Sequence, residues 1–124
     1  DDREWLKENQ IPVLAWSTLA GGYLTSSVDL ESMQTPNSRL LAETARCYHS
    51  EMNWLRRERA IELAVKKDCT LEQIAVSWVL HADFPTHALC ASRSKTEAFH
   101  NVASADIKLS ESERVWLESG EIIE

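Results

Sequence analysis

Two short stretches of this chain carry residue types suited to holding an anion. The first is Ser17-Thr18-Leu19-Ala20-Gly21-Gly22. Adjacent glycines let the backbone approach a ligand closely, and exposed amides can hold negative charge. An ordinary turn uses a Gly-Gly pair as well, so this stretch alone leaves both readings open. The second is Ala91-Ser92-Arg93-Ser94-Lys95-Thr96-Glu97. Ser94 with Glu97 three residues later has the spacing of a capping box that opens a helix. A helix N-terminus presents free amides and the positive end of a dipole, which attract phosphate. Arg93 adds a planar fork suited to a phosphate monoester, and Ser92 and Ser94 add hydroxyl donors. A capped helix with solvated charges is the alternative.

Each stretch follows a segment that reads as a strand. Ile11 to Trp16 is an apolar run too short for a helix, and its Pro12 lies where a strand tolerates it. The run does not alternate, which predicts a strand from Pro12 to Trp16 buried on both faces. His87 to Ala91 is a second such run. In parallel α/β architecture ligands sit beyond the carboxyl ends of strands. Both anion-suited stretches lie there, one fitted to a pyrophosphate and the other to a further phosphate.

The remaining elements read as helices around these strands. Residues 3–9 form a polar helix end that stops near Asn9. Residues 17–37 are the longest irregular stretch, and a loop of that length is usually functional or disordered. Leu40, Leu41, Ala45 and Tyr48 suggest a modest helix from Ser38 to His49, with Tyr48 as a packing residue. Asn53 is the expected cap of the next helix, with Trp54, Ile61, Ala64 and Val65 on one face and an end near Lys67. Thr70-Leu71-Glu72-Gln73 is a capping box. Leu71, Ile74, Ala75 and Trp78 then fall at helical spacing, with Val76, Val79 and Leu80 widening the stripe, so this helix should be largely buried and end before Pro85. The Ser94 box opens a helix with Ala98, Phe99 and Val102. Ser110-Glu111-Ser112-Glu113 opens one with Trp116 and Leu117.

The order helix, strand, long loop, helices, strand, helix, helix is the alternation of a parallel α/β fold. Two parallel strands do not make a stable sheet by themselves. The pattern therefore expects neighbours from further sequence or another subunit, and unpaired edges open a route to self-association. The 124 residues suit one domain or part of a larger one. Because the chain starts at Asp1 and not Met, the expectation is a piece of a longer polypeptide, with residues 1–124 forming a single partial domain.

Charge and composition narrow the function classes. Twenty acidic and thirteen basic side chains give a net charge of −7, which argues against a general nucleic-acid binder. Arg56-Arg57-Glu58-Arg59 lies beside acids and reads as a solvated face. The hydrophobic share of 44% is enough for a core. No apolar run approaches the ~20 residues of a membrane helix, and no secretory leader is evident. Cys47, Cys69 and Cys90 cannot all pair, which fits a reducing, cytoplasmic setting. His49, His81, His87 and His100 are scattered and make no metal-site spacing with them, so no metal site is expected. Of the five tryptophans only Trp16 is set aside from core duty.

Taken in order, these motifs resemble one family. Ile11 through Thr25 resembles the seventh-strand segment of aldo-keto reductases, where an aromatic-Ser-x-Leu-x-x-Gly stretch follows the strand. Thr70 to Leu80 is similar to the helix before that family's last strand. Ala91-Ser92-Arg93-Ser94 followed by Asn101 resembles its cofactor segment, and Leu109 to Glu113 its tail helix. The resemblance implies the C-terminal portion of a (β/α)₈ TIM barrel, helix-rich with about two parallel strands, in an oxidoreductase that reduces carbonyls to alcohols with NADP(H). It implies Trp16 stacked on nicotinamide, Ser17, Leu19 and Gly21 along the pyrophosphate, Ser92 and Arg93 on the 2′-phosphate, and Asn101 at the adenine edge. Ala91 stands where the family has Gly or Lys, and His100 where it has Glu. A full barrel takes ~250 residues, about twice this chain. The family's catalytic Asp, Tyr, Lys and His set lies on early strands that this sequence does not contain, so no catalytic residue is assigned. Carbonyl reduction would then need the other half of the barrel. A non-catalytic remnant acting through protein contacts is the alternative.

Overall fold

The computed structural model describes residues 2–122. In chain order these form α1 (Asp2–Asn9), β1 (Val13–Ala15), α2 (Leu30–Gln34), α3 (Arg39–Tyr48), α4 (Glu51–Lys66), α5 (Leu71–Leu80), β2 (Thr86–Ala88), α6 (Lys95–Ala103) and α7 (Glu111–Ser119), with single 3₁₀ turns at Ala20–Gly22 and Ser104–Asp106. β1 and β2 pair in parallel, with Val13 opposite Thr86, Leu14 opposite His87 and Ala15 opposite Ala88. The helix-rich α/β arrangement with two parallel strands fits a portion of a (β/α)₈ barrel.

Short side chains start the helices. Ser38, Ser50, Thr70, Ser94 and Ser110 each accept the amide three residues on, which satisfies one of the unpaired donors of a helix start. Thr70 with Gln73 and Ser110 with Glu113 make full reciprocal boxes. Ser94 makes only half of one. Glu97 reaches past the cap and takes the Arg93 amide at 2.7 Å. The cap of α4 is Ser50, not the expected Asn53. Asn53 sits inside the helix, its amide held by Ser50 and its own side chain donating to the Tyr48 carbonyl at 2.8 Å. The long connection after β1 is less irregular than expected, because Asp29 and Ser32 cap the short α2 reciprocally.

The main core lies where α4, α5 and α7 meet. It is built from Ala60, Leu63, Ala64, Leu71, Ile74, Leu109 and Leu117. A second cluster, Tyr23, Val28 and Met33, packs the loop after β1 against Leu41, Tyr48 and Trp54. Ser77 and Ser104 are fully buried, and the Ser77 hydroxyl donates to the Ser104 carbonyl at 2.6 Å. That bond lets two polar groups sit inside without an unsatisfied donor.

Three expectations about burial fail. β1 is not covered on both faces: Leu14 is 67% exposed. Helix α5 packs against β2. The second strand is Thr86–Ala88, not His87–Ala91, because β1 offers only three partners before the backbone turns left-handed at Ser17 (φ +54°). The buried face of α4 is Arg57, Ala60, Leu63 and Ala64, whereas Ile61 and Val65 face outward. Phe99 and Val102 of α6 are also exposed, and α6 buries no residue.

Charged contacts fasten the periphery. Asp83 receives Arg114 at 3.0 Å and Lys7 at 3.5 Å, joining the connection before β2 to α7 and α1. The Arg114 hydrogen bond holds the Asp83 carboxyl below its ordinary value. Glu113 takes the Ser110 amide at 2.8 Å and Lys67 at 2.8 Å. Burial pushes its carboxyl up, but these donors outweigh it and the net shift is downward.

Two measurements check this packing. Leu63→Ala is expected to cost about 2–5 kcal/mol in urea unfolding, and Val65→Ala under ~0.5 kcal/mol. Equal losses would contradict the assigned face of α4. A carboxyl held low in the folded chain contributes stability that is complete above its unfolded pKa and is lost as pH falls through the folded value. The advantage of the wild-type chain over Glu113→Gln should therefore shrink below the ordinary glutamate value of 4.5 and vanish in stronger acid. Thermal melts across the acid range read this directly.

Candidate functional site

A groove of about 460 Å³ opens at the carboxyl ends of β1 and β2. Trp16, Ser17, Thr18, Leu19, Gly21 and Gly22 line it from one side, and Leu89, Cys90 and Ala91 from the other. The two walls are tied together. The Leu89 amide donates to the Ala15 carbonyl at 3.0 Å, which extends the strand pairing by one bond. The Thr18 hydroxyl lies 3.3 Å from the Ala15 carbonyl and 3.4 Å from that of Leu89, so it bridges the two strand ends.

The first wall is a tight, left-handed loop. Ser17, Ala20, Gly21 and Gly22 all have positive φ, at 54°, 51°, 62° and 96°. Glycine adopts this region freely, while Ser17 and Ala20 are strained there by about 1–2 kcal/mol each. Such strain persists only where the surroundings over-determine the backbone, and it concentrates at functional loops. A side chain at Gly21 would also bring its Cβ to 3.2 Å from the Tyr48 ring. The loop bonds within itself: the Ala20 amide donates to Ser17 at 2.7 Å and the Gly22 amide to Leu19 at 3.0 Å. The Trp16 indole at the mouth is 84% exposed, which leaves its face free for a flat ligand.

Immediately beyond Ala91 lies the second cluster. Asn101 Nδ2 donates to Ser92 Oγ at 3.0 Å. The Arg93 side chain is 91% exposed and, among the described residues, makes only a long 3.4 Å contact with Glu97. Its fork is therefore open to another anion at the start of α6. Of the seven residues expected at the site, Trp16, Ser17, Leu19 and Gly21 share the groove. Ser92, Arg93 and Asn101 gather next to it and are not among its lining residues.

Several residues at or behind the site escaped the sequence reading. Thr18 was hidden inside a motif read for its serine and glycines. Leu89 and Cys90 looked like strand interior. Arg57 is the largest correction: it is 5% exposed and not part of a solvated face. Its guanidinium donates to the carbonyls of Tyr23 at 3.1 Å, Thr25 at 2.9 Å and Val28, and lies 5.0 Å over the Trp54 ring. Burial lowers its pKa, and the charges of Glu72 and Asp29 oppose that. The guanidinium nonetheless stays charged. The signal was available, since Arg57 lies three residues from both Trp54 and Ala60 on the inward stripe.

The groove offers binding groups and no activated acid. Tyr23 is buried, and its hydroxyl lies 3.3 Å from His49 Nδ1. Burial raises its pKa against the opposing charge of Arg57, the wrong direction for a phenol that must give up a proton. Tyr48 packs on Gly21. Among the described residues no group of three or more His, Cys, Asp or Glu side chains could hold a metal ion. The cysteines are free, with Cys47 and Cys90 exposed. No helix among the described residues is long and apolar enough to cross a membrane.

No solved structure matches the chain. The model of the Aldo/keto reductase family matches residues 3–119, which takes in α1 through α7, both groove walls and the Ser92–Asn101 cluster. The chain belongs to the aldo/keto reductase family, a family of oxidoreductases.

Proposed function

We propose that the groove at the strand ends binds NADP(H) and that the chain serves carbonyl reduction as the cofactor-holding part of an aldo/keto reductase barrel. The observation that carries this reading is the placement of an exposed indole, Trp16, and an open guanidinium, Arg93, at the same end of the paired strands. A dinucleotide with an extra phosphate needs both: a flat apolar surface for its ring and a cation for its monoester. In this reading Trp16 stacks on the nicotinamide. Ser17, Leu19 and Gly21 lie along the pyrophosphate, Ser92 and Arg93 meet the 2′-phosphate, and Asn101 faces the adenine.

The residues present fit the group. The left-handed loop lets the backbone at Gly21 and Gly22 come close to a ligand. Asn101 already orients the Ser92 hydroxyl beside Arg93. When bound, the nicotinamide supplies hydride to a carbonyl carbon. This chain binds and orients, and the proton for the carbonyl oxygen comes from residues beyond it. Residues 1–124 act as one partial domain in this reading. The three free cysteines suit a reducing cytoplasmic setting.

Two experiments test it. Arg93→Ala is expected to weaken NADPH binding roughly tenfold, about 1.4 kcal/mol, while NADH affinity stays nearly unchanged. Equal losses for the two cofactors in calorimetric titration would remove the 2′-phosphate role. Cys90 lines the groove and Cys47 does not. NADPH should therefore slow iodoacetamide labelling of Cys90 and leave Cys47 unaffected, as read by peptide mass spectrometry. Unprotected Cys90 at saturating NADPH would place the cofactor elsewhere.

A further inference from the structure

The loop that forms one wall of the groove is gripped from outside by three helices. From α3, the Thr44 hydroxyl donates to the Gly21 carbonyl at 3.1 Å. From α4, Arg57 donates to the carbonyls of Tyr23, Thr25 and Val28. From α5, Glu72 accepts the Ser26 amide at 2.8 Å. Two opposite charges on two helices thus hold the backbone of a single six-residue segment, 23–28. That segment begins where the groove wall ends, at Gly22.

These contacts are unlike ordinary core packing. They run from side-chain charges to loop backbone, which fixes where the chain runs with little dependence on loop side chains. A nearly buried guanidinium is tolerated only with its donors satisfied, so Arg57 needs these carbonyls as much as they need it. The ionised form of Glu72 is favoured as well. Burial pushes its carboxyl up, but the Ser26 amide and its own helix start bring it below the ordinary value. Ser17 and Ala20 hold strained backbone in the same loop, and such conformations need support from neighbouring structure.

We propose that Arg57 and Glu72 are positioning residues for the dinucleotide groove. By clamping segment 23–28 they set the Gly21–Gly22 wall at the separation from Cys90–Ala91 that admits the cofactor, while touching no ligand themselves. This rests on the NADP(H) reading above.

Glu72 is the better handle, because Arg57 lies in the interior and its loss threatens folding. Glu72→Ala removes the acceptor for the Ser26 amide and is expected to raise the NADPH dissociation constant about fivefold, with faster hydrogen exchange at Ser26 to Val28. Glu72→Gln keeps an oxygen that accepts from Ser26, so it should bind within about twofold of the wild type. Ser110→Ala, which uncaps the remote α7, should cost about 1 kcal/mol of stability and leave NADPH affinity unchanged. Wild-type affinity in Glu72→Ala overturns the positioning role, as does a loss in Ser110→Ala equal to that in Glu72→Ala, or failure of Glu72→Gln to restore binding. If the wild-type chain itself does not bind NADPH, the dinucleotide reading falls and the positioning role with it.

Discussion

The guanidinium of Arg57 is the interaction around which the irregular half of this structure is arranged. Removing a cation from water is costly unless its donors find acceptors. The interior of α4 offers none, since its neighbours there are Ala60, Leu63 and Ala64. The loop after β1 has the converse problem, because carbonyls outside helices and strands still need donors where water is excluded. Arg57 answers both at once by meeting the carbonyls of Tyr23, Thr25 and Val28. Tyr23 and Trp54 pack edge to face at 6.3 Å beside it, so the polar clamp is sealed by aromatic surface. A loop between a strand and a short helix is thereby held in one path without regular secondary structure.

The strand pair imposes the second constraint. Parallel pairing over three residues brings the ends of β1 and β2 side by side. Thr18 and the Leu89 amide then hold the chains together just past the ladder. The two anion-suited stretches are about seventy residues apart in sequence, yet this register makes them neighbours. The same sheet leaves Leu14 and Trp16 on an open face. A parallel sheet is normally covered on both sides, so this open face is a departure from the usual parallel arrangement.

Much of this was legible in the residues. Helix starts were clearest, because a Ser or Thr followed three residues on by Glu or Gln states its own geometry, as at Thr70 and Ser110. The existence of both strands followed from pattern. The buried stripe of α5 was legible, with Leu71, Ile74, Ala75 and Val76 inside as expected, and what could not be read was the direction that α4 faces. Apolar residues spread round α4, so spacing alone pointed to Ile61 and Val65, and the neighbours α5 and α7 selected Leu63 instead. Arg57 was misread because a charge in a run of charges looks solvated, and that outweighed its spacing from Trp54 and Ala60. Asn53 lost the cap to Ser50 because both are good capping residues and the helix began at the earlier one.

The proposed carbonyl chemistry makes two separate demands. Carbonyl reduction needs a hydride donor held flat and an acid aimed at the oxygen that gains negative charge. In the proposed reading the first requirement falls to an exposed Trp16, a close backbone at Gly21 and Gly22 and an open Arg93. For the second, Tyr23 is the phenol nearest in chain to the groove wall, but it is buried among Trp54, His49 and Arg57 with its pKa raised. An acid that must donate on each turnover needs access to the substrate and a lowered barrier to ionisation, and Tyr23 has neither. Its burial serves the loop instead: the aromatic body fills the second core, and its carbonyl is one of the three that accept from Arg57. Tyr23 and Arg57 are therefore committed to holding backbone in place, which leaves neither free to act as an acid in the proposed reading.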